Sequence, residues 1–378
     1  MKIRKVLPVL GFSLFLLLLF KLFPVLMDTV YSSFLYRYVA QGVSVIMAFF
    51  PFSLAEVVLF LTVFFLLFFL VKAVVLLIRL PFAQVWVRWK VWLRNLLVLF
   101  LYGVSVFLLT CGVHYHRVPL ENHLGYPKEQ ASAEELAALA FDLVQEVNLA
   151  GSYTRRNING DMIPSETFDG YKKAIALAYD SLAVTSGLAV HGRFPATKQV
   201  FVSKGMSYAF LSGFFFPWTL EANINKDVPI FRMPAIMAHE QAHVRGFMRE
   251  NEANFLTYLI ARHTRNGDLK YSCLLLSFNY VMNALYKASK EQHREVLEKL
   301  SPRVLHDLRS EQAYWEKYRT SFAVASQKIN NAYLKANAQH DGVASYGRVI
   351  DMMVSEHKMH RKEMQQNQDT SVHIVEGI

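Results

Sequence analysis

The chain follows two different rules of hydrophobic patterning, and the change falls near residue 115. From Val6 to Met27 the only charged residue is Lys21; Val57 to Val71 carries no charge and the apolar run resumes after Lys72 to Ile78; Asn95 to Tyr115 carries none. At about 1.5 Å of rise per residue each run reaches across roughly 30 Å of hydrocarbon. The pattern predicts three transmembrane helices, over about 6–27, 55–78 and 95–115. "MKIRK" followed by "LFLLLLF" also has the first two parts of a cleaved signal peptide. No small-residue cleavage site follows, and the apolar run continues to Met27, so a retained anchor is expected.

Beyond residue 115 the period becomes that of packed elements. "SAEELAALAFDLVQEV" pairs Ser132 with Glu135 as a capping box and sets Leu136, Leu139, Ala140, Leu143 and Val147 on one stripe, which predicts an amphipathic helix. After the loop "SYTRRNINGDMIPS" a second helix is expected over about 165–186. "KQVFVS" (Lys198 to Ser203), "YAFLSGFFF" (Tyr208 to Phe216) and "TLEANIN" (Thr219 to Asn225) are rich in aromatic and β-branched residues, and predict a small sheet of three strands. From Asp227 onward the pattern is helical, with breaks at Gly246, Gly267, Pro302 and Gly342. The expected fold class is α+β, mostly helical: a membrane region over 1–115 with three transmembrane helices, then an extracytoplasmic domain over 116–378 with a small β-sheet.

Charge supports this division. The chain has a net charge of +10 and is 53% hydrophobic. Residues 1–115 hold ten of the 40 Lys and Arg residues, against Asp28 and Glu56 alone among the acids. The basicity therefore belongs to membrane topology; the expected partner is the lipid bilayer and not a nucleic acid. Lysines and arginines gather before the first span and between Arg79 and Arg94, which predicts a cytoplasmic amino terminus and an extracytoplasmic carboxy-terminal domain in a multi-pass protein of the cell membrane. Cys111 falls in the third span and Cys273 outside it, so no disulfide is expected. Oligomeric state is not legible.

The chemistry gathers in "PAIMAHEQAHVRGFMRENEANFLTYLIA", Pro234 to Ala261. Residues four apart on a helix share a face, so His239 and His243 present two imidazoles to one point, with Glu240 beside them. This is the arrangement for metal-assisted hydrolysis: zinc lowers the pKa of water toward neutrality, and the carboxylate takes the proton and passes it to the leaving amine. Gly246 is placed to end the first helix and turn the chain back. A third ligand is required, and Glu250 and Glu252 are both candidates. The four-residue spacing of Glu250 and Asn254 favours Glu250 and suits Asn254 to orient His239.

"HEQAHVRGFMRENEANFLTYL" resembles the glutamate-zincin pattern, HExxH followed by ExxA(D/N), of minigluzincin-like peptidases. Together with "SGFFFPWTLEANIN" and "NNAYLKANAQHDGVASYGRVIDMM" it is similar to the bacterial family catalogued as domain of unknown function 3810. The resemblance implies a zincin-like metallopeptidase domain in which His239 and His243 match the ligands, Glu240 the catalytic base and Glu250 the ligand of the ExxA(D/N) motif. Asn254 stands where the commoner form has aspartate. Glu221 to Asn225 is expected either as the strand edge facing a peptide or protein substrate or as a structural strand with polar caps, and Tyr346 and Arg348 as further catalytic candidates able to stabilise an oxyanion. His263, His357 and His360 are expected to be solvated.

Two functions follow as expectations. One is a membrane-anchored, zinc-dependent metallopeptidase with Glu240 as general base; the other is a catalytically inactive zincin-like scaffold or sensor. Glu240 separates them, since hydrolysis requires it and metal binding does not.

Overall fold

A computed structural model describes residues 3–127, 129–337 and 346–376. Three of its helical stretches are long and apolar enough to cross a membrane, Ile3–Leu22, Leu54–Arg79 and Gln84–His116. The first two contain α1 (Leu7–Leu22) and α2 (Leu54–Arg79), and the third overlaps α3 (Phe82–Thr110). Two boundaries differ from the expected spans. The first stops at Leu22, because Pro24 has no N–H to continue the helical ladder. The third begins some thirteen residues early: only Leu80 and Pro81 part α2 from α3, and Arg88, Lys90 and Arg94 are helical. Charge limits how deeply a helix sits in hydrocarbon; it does not end the helix.

Between α1 and α2 the chain is ordered, with a π-helix at Met27–Tyr36 and an α-helix at Arg37–Met47. This stretch is bound to the later residues. Asp28, which is 2% exposed, accepts from Arg117 Nε at 2.7 Å and the Val118 N–H at 2.9 Å, and pairs with His123 at 2.8 Å. The Tyr36 hydroxyl donates to the Val244 carbonyl at 2.9 Å.

After residue 115, α4 (Ala133–Tyr153) begins with the expected capping box of Ser132 and Glu135. A two-residue hairpin, β1 (Arg155–Arg156) with β2 (Met162–Ile163), lies within the expected loop and is too short to leave an alternating pattern. Thr167 caps α5 (Phe168–Ser186). Three strands then form one sheet in the order β3 (Lys198–Val200), β5 (Glu221–Asn225), β4 (Gly213–Phe216), with β3 parallel and β4 antiparallel to β5. The segment Tyr208 to Phe216 is not one strand. A short helix at Ser203–Tyr208 and a left-handed Phe210 (φ 56°) delay the strand until Gly213.

Then follow α6 (Met233–Val244), α7 (Glu250–His263), α8 (Gly267–Ala288), a short helix at Lys290–Leu297, α9 (Pro302–Glu316) and α10 (Ser321–Ala336); the last described helix is α11 (Tyr346–Glu376). The principal core packs Leu139, Leu143 and Val147 of α4 with Tyr179 of α5, Phe255 of α7 and Leu274 of α8. A second cluster joins Phe20, Met27 and Tyr36 to Ala222 and Val244, so the amino-terminal segment is packed under the sheet and α6.

Of the two readings expected for Glu221 to Asn225 the substrate-facing edge is not met: the segment is the central strand and is buried throughout, a structural strand. Its polar side chains hold the start of α2: Glu221 Oε2 accepts from the Leu54 and Ala55 N–H groups at 3.1 and 3.3 Å, and Ser53 Oγ donates to Asn223 Oδ1 at 2.6 Å. Glu56 returns the tie by accepting from the Phe201 and Val202 N–H groups at 2.8 and 2.7 Å. A helix amino terminus leaves N–H groups free, and these carboxylates satisfy them or use the start of the helix as their base.

Candidate metal-binding and catalytic site

Pro234 lies in the first turn of α6, where its missing N–H costs nothing. Ala235, Ala238 and Ala242 are fully buried, and such small residues let neighbouring elements approach closely; the Tyr179 hydroxyl reaches the Ala238 carbonyl at 2.8 Å. The helix ends in a Schellman turn. The Gly246 N–H donates to the His243 carbonyl at 2.9 Å and the Phe247 N–H to the Ala242 carbonyl at 3.1 Å, with Gly246 at φ 84°. A Cβ on Gly246 would also lie 2.8 Å from the His114 ring.

This turn has a chemical consequence. It brings the Phe247 carbonyl within 2.7 Å of His243 Nδ1, which donates to it and leaves Nε2 as a lone-pair donor. The same turn starts α7 at Glu250, so the short connection from His243 delivers that carboxylate to both imidazoles. Glu250 Oε2 is 3.3 Å from His239 Nε2, and Oε1 is 3.6 Å from His243 Nε2. One donor atom from each of the three residues lies within 4.8 Å of the others, a set able to hold a metal ion.

Burial shapes the charges. It pushes the Glu240 carboxyl up to about 8, opposed by the His239 charge. It draws His243 down to about 4, against the attraction of Glu250. For Glu250 burial works upward and is overcome by the hydrogen bond from His239 and the two imidazole charges, which bring it to about 2. His239 moves upward, because its bond to Glu250 and that carboxylate's charge outweigh its burial. His239 and Glu250 thus each favour the charged form of the other.

Glu240 is 5% exposed, and its Oε2 has no hydrogen-bond partner among the described residues. Gly213, at the start of β4, lies directly on it; a Cβ there would sit 2.6 Å from Oε1. The site opens into a cleft of about 380 Å³ walled by Gly213 to Phe215 of β4, Tyr280 of α8 and Tyr333 of α10. A deep carboxylate with one oxygen unpartnered among the described residues, beside three side chains whose donor atoms could hold a metal and facing a cavity, marks a candidate functional site.

The other expected residues fall elsewhere. Glu252 is 2% exposed and points away from the cluster, accepting from Arg249 at 2.6 Å and the Leu120 N–H at 3.0 Å. Asn254 lines the cleft and its Oδ1 accepts from the Tyr280 hydroxyl at 3.1 Å. It is near enough to His239 to favour the protonated ring, yet Nδ1 of His239 meets no partner in hydrogen-bond geometry among the described residues. Arg348 is exposed on α11 and does not line the cleft; the side chain of Tyr346 lies outside the described residues. His357 is buried and pairs with Asp142 at 2.7 Å, and is not solvated. Both cysteines are free.

Tyr333 carries no motif, and its only sequence signal is its place in the block "NNAYLKAN". Its hydroxyl lies 3.5 Å from that of Tyr115 and 3.6 Å from Cys111 Sγ, at the end of α3. Burial pushes the Tyr333 hydroxyl upward, so it keeps its proton and stands as a donor in the cleft.

A family model described as protein of unknown function (DUF3810) matches residues 31–354. No curated protein and no solved structure matches the chain.

Proposed function

The chain belongs to the DUF3810 family of proteins of unknown function, and we propose that it is a membrane-anchored, zinc-dependent peptidase or closely related amide hydrolase. The observation that carries this reading is the convergence of His239, His243 and Glu250 beside a buried Glu240 with an unpartnered oxygen. Two imidazole nitrogens and one carboxylate suit zinc and leave a position open toward the cleft. Zinc held there supplies Lewis acidity, lowering the pKa of water and polarising a carbonyl.

The remaining work falls to the chain. Glu240 takes a proton from the attacking water and delivers it to the leaving nitrogen, so that a C–O bond forms as the C–N bond breaks, yielding a carboxylate and an amine. Tyr333 donates to the carbonyl oxygen as it gains charge. The free edge of β4 pairs with an extended backbone and sets the scissile bond over Glu240. The basic residues at the α2–α3 end, Arg79, Arg88, Lys90 and Arg94, support placing the cleft outside the cytoplasm.

The test is zinc content of the purified full chain beside His239→Ala, followed by a peptide screen with Glu240→Gln as the blank. About one zinc per chain, lost in His239→Ala, with hydrolysis absent from Glu240→Gln, is the expected result. A Glu240→Gln protein as active as the parent overturns the mechanism.

A further inference from the structure

The long apolar helices α2 and α3 leave each other after Pro81, and a groove of about 650 Å³ runs between them. It is lined by Val58, Phe65 and Phe69 of α2 and by Trp92, Leu96 and Leu99 of α3. From Val58 to Ala73 the helix advances about 22 Å, so the groove is elongated along the two helices, the shape of an extended hydrocarbon chain.

The groove leads toward the site. At Val58 and Leu99 it meets a second apolar cavity, of about 540 Å³, walled by Phe107, Phe216 and Trp218. The Trp218 indole N–H donates to the Gly103 carbonyl at 3.0 Å and fixes the sheet to α3 at this junction. Phe216 is the last residue of β4, whose first residue, Gly213, covers Glu240; the strand spans about 10 Å. Phe107, in the same wall, touches the Tyr333 ring, with centroids 6.4 Å apart. An apolar channel and a strand edge thus run in series from between the two helices to the metal-binding cluster.

Resting on the hydrolase reading above, we propose that the substrate is a polypeptide carrying a covalently attached acyl chain. The acyl chain lies in the α2–α3 groove, the polypeptide leaves it at Phe216 and Trp218, and its backbone pairs along β4. The bond cut is then an amide about four to six residues from the acylated residue, set by the length of the strand. The chemistry is that of the proposed hydrolysis, with water adding across the C–N bond.

The test uses the full chain in lipid nanodiscs, as Glu240→Gln, with a palmitoylated decapeptide bearing a photoactivatable diazirine on the acyl chain. The comparison probe is a phospholipid with the same diazirine tail at the same mole fraction. The expected result is labelling of tryptic fragments containing Val58 to Phe69 and Trp92 to Leu99, at least fivefold stronger for the acylpeptide. Val58→Phe with Leu99→Phe, narrowing the junction, should abolish that excess. Equal labelling by the phospholipid assigns the groove to bulk lipid tails and overturns the proposal. So does displacement of the acylpeptide by a transmembrane-helix peptide but not by unlabelled acylpeptide.

This readout needs no turnover, so a chain that binds no zinc defeats the hydrolase reading without deciding the labelling. Conversely, with the active parent chain, equal KM for the decapeptide with and without its acyl chain defeats the acyl proposal and leaves the hydrolase reading intact. The expected difference is at least tenfold in favour of the acylated form.

Discussion

Gly213 lies so close against Glu240 that any side chain at position 213 would enter the space of the carboxylate: a Cβ would be 2.6 Å from Oε1 and 2.8 Å from Cγ. The glycine is required here for approach, since a strand ordinarily favours a larger residue. Gly213→Ala should therefore lower hydrolysis at least about tenfold by displacing the base, while zinc content stays unchanged. Full activity in this variant, measured with the same peptide as the parent, would refute the assignment of Glu240.

Glu250 and Glu252 sit two residues apart on α7 and have different tasks. Removing Glu250 takes a donor from the cluster, so Glu250→Ala should lose zinc under conditions where the parent retains it. Removing Glu252 leaves Arg249 and the Leu120 N–H without their acceptor, and breaking such a buried pair costs on the order of 3–5 kcal/mol. Glu252→Ala should melt at lower temperature yet bind metal at the low temperature where it remains folded. Metal analysis and thermal unfolding on both variants decide the matter, and the opposite ranking would transfer the ligand role.

Tyr333 reaches the cleft with only its hydroxyl to offer the reaction. Tyr333→Phe keeps the ring against Phe107 and removes the donor. The expected effect is a fall of about ten- to a hundredfold in kcat, with KM and zinc content nearly unchanged. An unaltered kcat would make the residue part of the wall alone.

Asp28 joins the amino-terminal segment to Arg117 and His123, and its pKa is lowered. Burial acts upward on this carboxyl; the hydrogen bond to His123 and the Arg117 charge, acting downward, prevail. A depressed folded-state pKa gives stability that is present above the ordinary carboxylate range and is lost as pH falls through the folded value. Asp28→Ala leaves Arg117 buried and unpaired, and should destabilise the chain by about 3–5 kcal/mol at neutral pH. The gap to the parent should narrow as the medium is acidified. Detergent-solubilised protein followed through unfolding at several pH values provides the measurement, and a gap that widened with acid would contradict the ion-pair account.

The sequence by itself determined what depends on neighbours a few residues apart. Three apolar runs, the Ser132–Glu135 cap and the shared face of His239 and His243 are all consequences of chain geometry at short range. Gly246 as a helix stop is legible for the same reason, since its positive φ is a local demand.

Only the tertiary structure decided which carboxylate meets the imidazoles. Glu250 and Glu252 are two residues apart on one helix, and which of them faces His239 follows from how α7 packs against α6. It likewise decided that Glu221 to Asn225 lies in the centre of the sheet, because strand order depends on contacts distant in sequence. Asp28 and Glu56, legible only as two acids in a basic region, become anchors once residues 117 and 201 are brought beside them. Tyr333 joins the cleft by the same means, from 83 residues beyond Glu250, where no periodicity or spacing reaches.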